Sequence, residues 1–158
     1  MAIREIVLEG DQALGKICRP VTDFNHRLSV LLDDMFDTMY EANGAGLAAP
    51  QVGIVKRIVV IDVDGEHPLE LINPEIIGRE GAQREIEGCL SLPNVWGYTH
   101  RPAKVKVRAQ DRKGEWHEYE GEGLLARAFC HELDHLDGVL FRERVDEYVT
   151  LKTEDEED

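Results

Sequence analysis

The pentapeptide His131-Glu132-Leu133-Asp134-His135 is the segment of this sequence best suited to metal chemistry. In a helix of 3.6 residues per turn, histidines four positions apart project within about 40° of each other, so one ion can contact both imidazoles. Glu132 would then face a water bound to that ion, as a general base must. The alternative is a pair of core histidines that only form hydrogen bonds, with Glu132 as an ordinary helix charge.

A catalytic metal with an open position normally has three protein ligands, and this pentapeptide supplies two. No histidine follows His135, so we expect the third ligand upstream. Cys89 is the candidate, because it lies in the compact segment Glu87-Gly88-Cys89-Leu90-Ser91-Leu92-Pro93 and a thiolate binds such metals strongly. A lone cysteine in this setting can equally be a small buried hydrophobe.

The segment Gly44-Ala45-Gly46-Leu47-Ala48-Ala49-Pro50-Gln51 fits the pattern G-x-G-x-x-A of dinucleotide-binding loops. That interpretation fails on context, because here a predicted helix precedes the glycines and a predicted strand follows them, the reverse of the required order. Backbone flanked by glycines is better suited to pairing with an extended peptide. The segment therefore predicts a peptide-binding edge.

Three segments, residues 44–51, 87–93 and 131–135, resemble the signature motifs of the peptide deformylase family in the same order and with similar separations. The similarity also includes Ile3-Arg4-Glu5-Ile6, the segment from Met35 to Tyr40, and Gly138-Val139-Leu140-Phe141. It implies an α+β fold with mixed or antiparallel sheets packed around a central metal-binding helix. It also implies removal of the formyl group from the N-terminal formyl-methionine of new bacterial proteins, with release of formate.

The resemblance assigns a role to each matching residue. The metal ligands would be Cys89, His131 and His135; the catalytic groups would be Glu132 as acid and base, with Gln51 and the backbone N–H of Leu90 as oxyanion donors. Substrate would bind along Gly44, Ala45, Gly46 and Gly88, and the methionine pocket is expected near Leu124 and Ala128, on the helical stripe that carries the histidines.

The cofactor is expected to be one divalent metal ion per chain. The resemblance favours Fe(II), although zinc, nickel and cobalt also accept nitrogen and sulfur donors. Two features depart from the family pattern. Cys130 stands where many members have an amide side chain, and the chain ends in acidic residues where some members have a basic helix that docks on the ribosome.

Two rival functions fit parts of the sequence. An endopeptidase of the His-Glu-x-x-His type would need a downstream ligand, which the chain lacks. A binding module with structural zinc would need a fourth protein ligand at a suitable spacing, and none is evident. Metal analysis combined with an assay of formate release separates these alternatives.

The surrounding elements are predicted from periodicity and turn residues. Apolar residues at three- and four-residue spacing predict a helix over residues 25–40 that ends at Asn43-Gly44. Strands are predicted over residues 57–63 and 69–72, a hairpin over residues 104–109 and 116–122, and the metal-binding helix over residues 124–136. Residues 1–150 are expected to form a single catalytic domain, and residues 151–158 an acidic tail.

Composition limits the location and partners of the chain. Its net charge of −14 disfavours direct, non-specific binding of nucleic acid, including DNA. The first ten residues lack the apolar stretch of a signal peptide, and three cysteines are typical of free thiols in a reducing compartment, so we expect a cytoplasmic protein without membrane contact. The expected partners are formylated nascent peptides and, transiently, the ribosome.

Overall fold

The structure is a computed structural model that describes residues 2–150. The predicted tail, residues 151–158, lies outside the described residues. Two α-helices, α1 (His26–Glu41) and α2 (Leu124–Leu136), accompany eight strands. The strands are β1 (Gly46–Ala48), β2 (Ile58–Ile61), β3 (Leu69–Glu80), β4 (Gln83–Cys89), β5 (Leu92–Arg101), β6 (Lys104–Gln110), β7 (Trp116–Glu122) and β8 (Val145–Val149).

Helix α1 closely matches the predicted helix and begins at an asparagine cap. The Oδ1 of Asn25 accepts a hydrogen bond from the backbone N–H of Leu28 at 3.1 Å, which satisfies one donor of the first turn. The helix ends at Glu41, two residues before Asn43, whose φ of 57° provides the left-handed stop. Its buried face, which includes Leu32 and Met35, packs against the larger sheet.

The larger sheet has five strands in the order β1-β2-β3-β6-β7, and its described strand pairs are all antiparallel. Strand β2 is buried on both faces, which explains its unbroken apolar run. Val59 and Ile61 pack in the core that contains α2, whereas Ile58 and Val60 pack in the core that contains α1. The sheet therefore separates the two helices, as period-two alternation dictates.

Strand β3 continues far beyond the predicted residues 69–72. Asn73 adopts a φ of 52°, and the register against β6 shifts between Ile72 and Glu75. The Asn73 side chain bonds to the backbone of Val21 and to Gln110, so the irregular point is fixed by neighbouring segments. The irregularity at Asn73 therefore interrupts the regular pairing of β3 locally without ending the strand.

A second sheet, in the order β4-β5-β8, was not predicted. Its strands carry mixed polar and glycine-rich sequences and leave many side chains exposed, so no clear alternation marks them. Strands β4 and β5 form a hairpin whose turn follows Cys89. This hairpin brings the cysteine segment towards α2.

Helix α2 has the predicted bounds and lies between the two sheets. It ends at Gly138, where φ is 76° and an added Cβ would lie 2.7 Å from the carbonyl oxygen of Gly15. Glycine is required at this point both for the left-handed backbone and for the close approach. The buried residues Phe129, Leu133 and Leu136 fix the helix against the larger sheet. The predicted α+β fold around a central helix is confirmed.

Candidate metal centre and active site

His131 and His135 lie one turn apart on α2, and their ring centroids are separated by 5.2 Å. Both side chains are buried, and that of His135 is fully inaccessible. The helix bounds and the four-residue spacing thus bring both imidazoles to one side, as the sequence predicted.

Cys89 joins these histidines from the end of β4. Its Sγ lies 3.5 Å from Nε2 of His135, and the donor atoms of Cys89, His131 and His135 all lie within 4.8 Å of one another. The register of the β4-β5 hairpin shifts between Glu87 and Cys89. Such a bulge re-aims a side chain, and here it turns the thiol towards the helix.

Gly88 occupies the bulge, where any side chain would require the ring of Trp96 to move. A Cβ at this position would lie 2.3 Å from the Trp96 ring. The close packing of ring and backbone holds the cysteine segment in place. A sequence pattern of glycine before cysteine therefore has a steric cause.

The donor set of Cys89, His131 and His135 fits a divalent transition metal. Ligands at 2.0–2.3 Å from a tetrahedral ion lie about 3.3–3.8 Å apart, and the separation of 3.5 Å between Sγ and Nε2 falls in that range. Nδ1 of His131 donates to Oε1 of Glu87 at 3.0 Å, which leaves Nε2 free as a ligand atom. One thiolate and two imidazoles suit zinc, iron, nickel or cobalt.

Glu132 lies beside the donor set with one oxygen unpaired. Its Oε2 is 4.0 Å from Nε2 of His131, while its buried Oε1 has no hydrogen-bond partner among residues 2–150. Burial raises the pKa of Glu132 to about 7, and a positive charge on His131 would oppose this rise. A Cβ on Gly46 would lie 2.7 Å from Oε2, so this glycine makes room for the carboxylate.

Behind the donor set is a buried ionic network that the sequence analysis missed. Arg101 donates two hydrogen bonds of 3.0 Å to Glu87 and a third of 2.9 Å to Asp134. Thr99 also donates to Glu87. Burial opposes the charge of Glu87, but the hydrogen bonds from His131 and Arg101 outweigh it and lower its pKa to about 2. The network therefore presents a fixed carboxylate to His131.

No sequence pattern links the members of this network, since Arg101 lies 14 residues from Glu87 and 33 from Asp134. Asp134 contributes to this network from α2. Its side chain is 19% exposed and pairs with Arg101 and Arg144. Arg127 lines the cavity described below.

Gln51 reaches the site from the short 3-10 helix Ala49–Val52. Its Oε1 accepts from the backbone N–H of Ala48 at 3.0 Å, which fixes the orientation of the amide. Its Nε2 donates to Oγ of Ser91 at 3.1 Å and lies 3.6 Å from Sγ of Cys89. The amide N–H groups are thus directed towards the cysteine segment, next to Leu90.

A cavity of about 400 Å³ opens over these groups. Every predicted site residue lines it except His135, which is buried behind the others. The structure therefore brings together the following predicted residues at one cavity: Gly44, Ala45, Gly46, Gln51, Gly88, Cys89, Leu90, Leu124, Ala128, His131 and Glu132. Ile86 and Trp96 also line the cavity and were not predicted.

The cysteine of α2, Cys130, is buried beside the network. Burial raises the pKa of its thiol, and its side chain makes no hydrogen bond to any residue in the range 2–150. The amide contact expected at this position in many relatives is therefore not made. The four other histidines, His26, His67, His100 and His117, are exposed.

Comparisons with known proteins agree with this geometry. Residues 3–150 match the model of the polypeptide deformylase family. The peptide deformylase of Caldicellulosiruptor bescii is 59% identical over 150 residues, which cover 95% of this chain and 90% of that protein. The peptide deformylase of Lachnoclostridium phytofermentans is 53% identical over the full length of both chains.

Solved structures show the same fold. The crystal structure of a peptide deformylase from Legionella pneumophila has a TM-score of 0.89 and 46% identity, covering 92% of this chain and 87% of that chain. The crystal structure of peptide deformylase from Thermotoga maritima has a TM-score of 0.89 and 43% identity, covering 92% of this chain and 99% of that chain. No helix among residues 2–150 has the length and apolar character needed to cross a bilayer. The chain belongs to the polypeptide deformylase family, whose members are metal-dependent hydrolases that remove N-formyl groups.

Proposed function

We propose that this chain removes the formyl group from the N-terminal formyl-methionine of newly made proteins and that the residues lining the cavity carry out the reaction. The observation that carries this proposal is the convergence of three donor atoms within 4.8 Å and an unpaired Glu132 oxygen on one cavity. An amide hydrolase needs these groups together. The endopeptidase and the zinc-stabilised binding module would each need a protein ligand to the metal in addition to those proposed here.

Cys89, His131 and His135 would hold one divalent ion, and we propose Fe(II) as the native metal on the basis of the family resemblance. When bound, such an ion polarises a carbonyl oxygen and lowers the pKa of water. Glu87 supports this role by accepting a hydrogen bond from His131, which fixes the ring and its tautomer. Arg101 in turn holds Glu87 in place.

Glu132 is proposed as the acid and base of the reaction. Its unpaired Oε1 can accept the proton of the attacking water, and a pKa of about 7 suits a group that must both take and give a proton near neutral pH. The same carboxyl then returns the proton to the leaving amine. Formate and the free N-terminus are the products.

Gln51 and the backbone N–H of Leu90 are proposed to stabilise the negative charge on the formyl oxygen. The Gln51 amide is held on one side by Ala48 and on the other by Ser91, so it needs no reorganisation as charge develops. A fixed donor of this kind contributes about 3 kcal/mol in comparable sites.

The peptide is proposed to bind along β1 and Gly88. Strand β1 lies at the edge of the larger sheet and, among residues 2–150, pairs only with β2. The N–H of Gly44 donates to Met39 and the carbonyl of Ala45 accepts from Asp62, so an extended chain would pair with the outward edge of the segment from Gly44 to Gly46, as in strand addition to a sheet edge. The methionine side chain would occupy the apolar wall formed by Leu124 and Ala128.

We further propose that the enzyme acts in the cytoplasm on formylated nascent peptides and associates only transiently with the ribosome. Support for this comes from the family's known role and, for the transient character of the association, from the net charge of −14, which disfavours stable contact with phosphates.

The test compares formyl-Met and acetyl-Met versions of one short peptide, using protein prepared without air. The reacting carbon must lie about 3–3.5 Å from the attacking oxygen while its own oxygen reaches Gln51 and Leu90, so a methyl group displaces it, and a misplacement of about 1 Å can cost about a hundredfold in rate. We expect formyl cleavage to be far faster and an unmodified protein to remain uncut. Similar rates for both acyl groups, or cleavage of internal bonds, would favour the endopeptidase function.

A further inference from the structure

Arg127 is the only lysine or arginine among residues 2–150 that lines the active-site cavity. It lies on α2 one turn before the proposed ligand His131, and the four-residue spacing places both side chains on one side of the helix. The side chain is half-buried. Deformylation as proposed does not use its positive charge, so the charge has no function assigned to it.

The guanidinium of Arg127 is held near the first turn of α2. Its Nη1 donates to Oε1 of Gln83 at 2.7 Å, and Nε2 of Gln83 donates to the carbonyl oxygens of Pro102 and Gly123 at 3.0 Å each. Gly123 is the N-cap residue of α2, and long helical side chains point in this direction, towards the N-terminus. At 1.5 Å per residue, the first turn lies about 10 Å from His131 along the helix axis.

One edge of this guanidinium has no acceptor. Its Nε is buried without a hydrogen-bond partner among residues 2–150, and within the same range its Nη2 forms no hydrogen bond and no ion pair. Buried polar groups without a partner are rare in folded proteins, so each one needs an explanation. An acceptor supplied by a molecule bound in the cavity would provide it.

The corresponding edge of other arginines binds carboxylates in this protein. Nε and Nη2 of Arg101 donate to the two oxygens of Glu87 at 3.0 Å each, and those of Arg142 donate to the two oxygens of Glu9 at 2.8 Å each. Two parallel N–H groups match the two oxygens of a carboxylate, and such charged pairs are stronger than neutral ones. An acidic group is therefore the ligand best suited to the free edge of Arg127.

The course of the substrate decides which of its residues would meet Arg127. In an extended peptide, the first and third side chains face the same side and their Cα atoms are about 7 Å apart. With the methionine side chain against Leu124 and Ala128, the third side chain also faces α2. A chain that leaves the metal centre along the cavity would bring this side chain close to the first turn of α2, about 10 Å from His131.

We propose that Arg127 favours substrates whose third residue is glutamate or aspartate, by binding the side-chain carboxylate through Nη2 and Nε. This inference rests on the proposed deformylation and extends it to a preference beyond the methionine. Because Arg127 lines the cavity and is only half-buried, a small rotation of its side chain brings Nε to the second oxygen. The contact is the same before and during the reaction, so it lowers KM and leaves kcat nearly unchanged.

The test measures kcat and KM for formate release from formyl-Met-Ala-Glu-amide and formyl-Met-Ala-Gln-amide, which differ only in the third side chain. We expect kcat/KM to favour the glutamate peptide about three- to tenfold, mainly through KM. Arg127→Gln should bring this ratio close to one, and Arg127→Glu should favour a peptide with lysine as its third residue. Glutamate as the second residue should give no preference that depends on Arg127.

The matched control is Arg79→Gln, which removes an exposed arginine outside the cavity and should keep the preference of the unmodified protein. Equal kcat/KM for the glutamate and glutamine peptides in the unmodified protein would overturn the role of Arg127 while deformylation stands. So would a preference that persists in Arg127→Gln or is lost equally in Arg79→Gln. Absence of formate from both peptides would instead contradict the proposed function, and this inference with it.

Discussion

Two clusters of potential metal donors occur among residues 2–150, and they differ in how far the fold already uses their hydrogen-bonding atoms. In the first, Cys89, His131 and His135 are gathered from β4 and α2 and are largely buried. In the second, Asp111, Glu115 and His117 lie in and beside the exposed β6-β7 turn. The distances between donor atoms do not distinguish the two clusters, because in each cluster all donor atoms lie within 4.8 Å of one another.

The atoms of the second cluster are occupied by the turn itself. Oδ1 of Asp111 accepts from the backbone N–H of Lys113 at 2.8 Å and of Glu115 at 3.1 Å, and its Oδ2 lies 2.8 Å from Nε2 of His117. The first cluster has a separate buried partner, Glu87, that orients His131 and leaves the other nitrogen of this ring free. A metal centre therefore needs spare donor atoms and a support behind them.

The largest expected effect follows from removing a ligand of the first cluster. Cys89→Ala or His135→Ala should largely abolish metal binding and activity, because two remaining ligands hold the ion loosely. His117→Ala, in the second cluster, should retain one metal per chain. Elemental analysis of the three purified variants decides this, and stoichiometric metal in Cys89→Ala would remove that residue from the ligand set.

A smaller effect is expected from Gly46→Ala. The added Cβ would lie 2.7 Å from Oε2 of Glu132, so the carboxylate or β1 must move by a few tenths of an ångström or more. We expect a rate about tenfold to a hundredfold lower with normal metal content. Gly53→Ala tests whether glycine replacement as such is harmful, although its φ of 82° will reduce stability. An unchanged rate in Gly46→Ala would show that the contact is easily relieved.

The support behind the first cluster should matter next. Glu87→Gln retains the shape but loses the charge that fixes His131, and such changes typically weaken metal affinity about 10- to 100-fold. Glu85→Gln makes the same charge change at an exposed position of β4 and should leave the affinity unaltered. Competition with a chelator measures both. Equal affinities would mean that the carboxylate has only a structural role.

The smallest effect is expected in the second cluster. Asp111→Ala removes the acceptor for two backbone N–H groups of the turn, so the free energy of unfolding should fall by about 1–2 kcal/mol. Metal content and turnover should not change. Urea unfolding and metal analysis of the same variant test this prediction. Loss of metal would show that the second cluster also binds a metal ion.

The sequence predicted those parts of the site that depend on local periodicity. The four-residue spacing of His131 and His135 and the bounds of α2 follow from helix geometry. Arg101 could not be found in this way, since its partners come from another strand and from the helix. A weak signal existed in Glu87, a charged residue two positions before a candidate ligand.

The fold was predictable to a similar degree. Strand β2 and the β6-β7 hairpin have clear apolar patterns, so their positions were predicted. The β4-β5-β8 sheet was missed because its strands are partly exposed and rich in polar residues, and because long-range pairing decides their conformation.

The most direct test of the catalytic account is formate release by Glu132→Gln, measured together with metal content on the same anaerobic preparation. The amide keeps the shape of the side chain but cannot accept a proton, so we predict one metal per chain and a rate reduced by about 10²–10⁴-fold. Turnover near that of the unmodified protein, with metal bound, would contradict the role of Glu132 and the function proposed for the cavity.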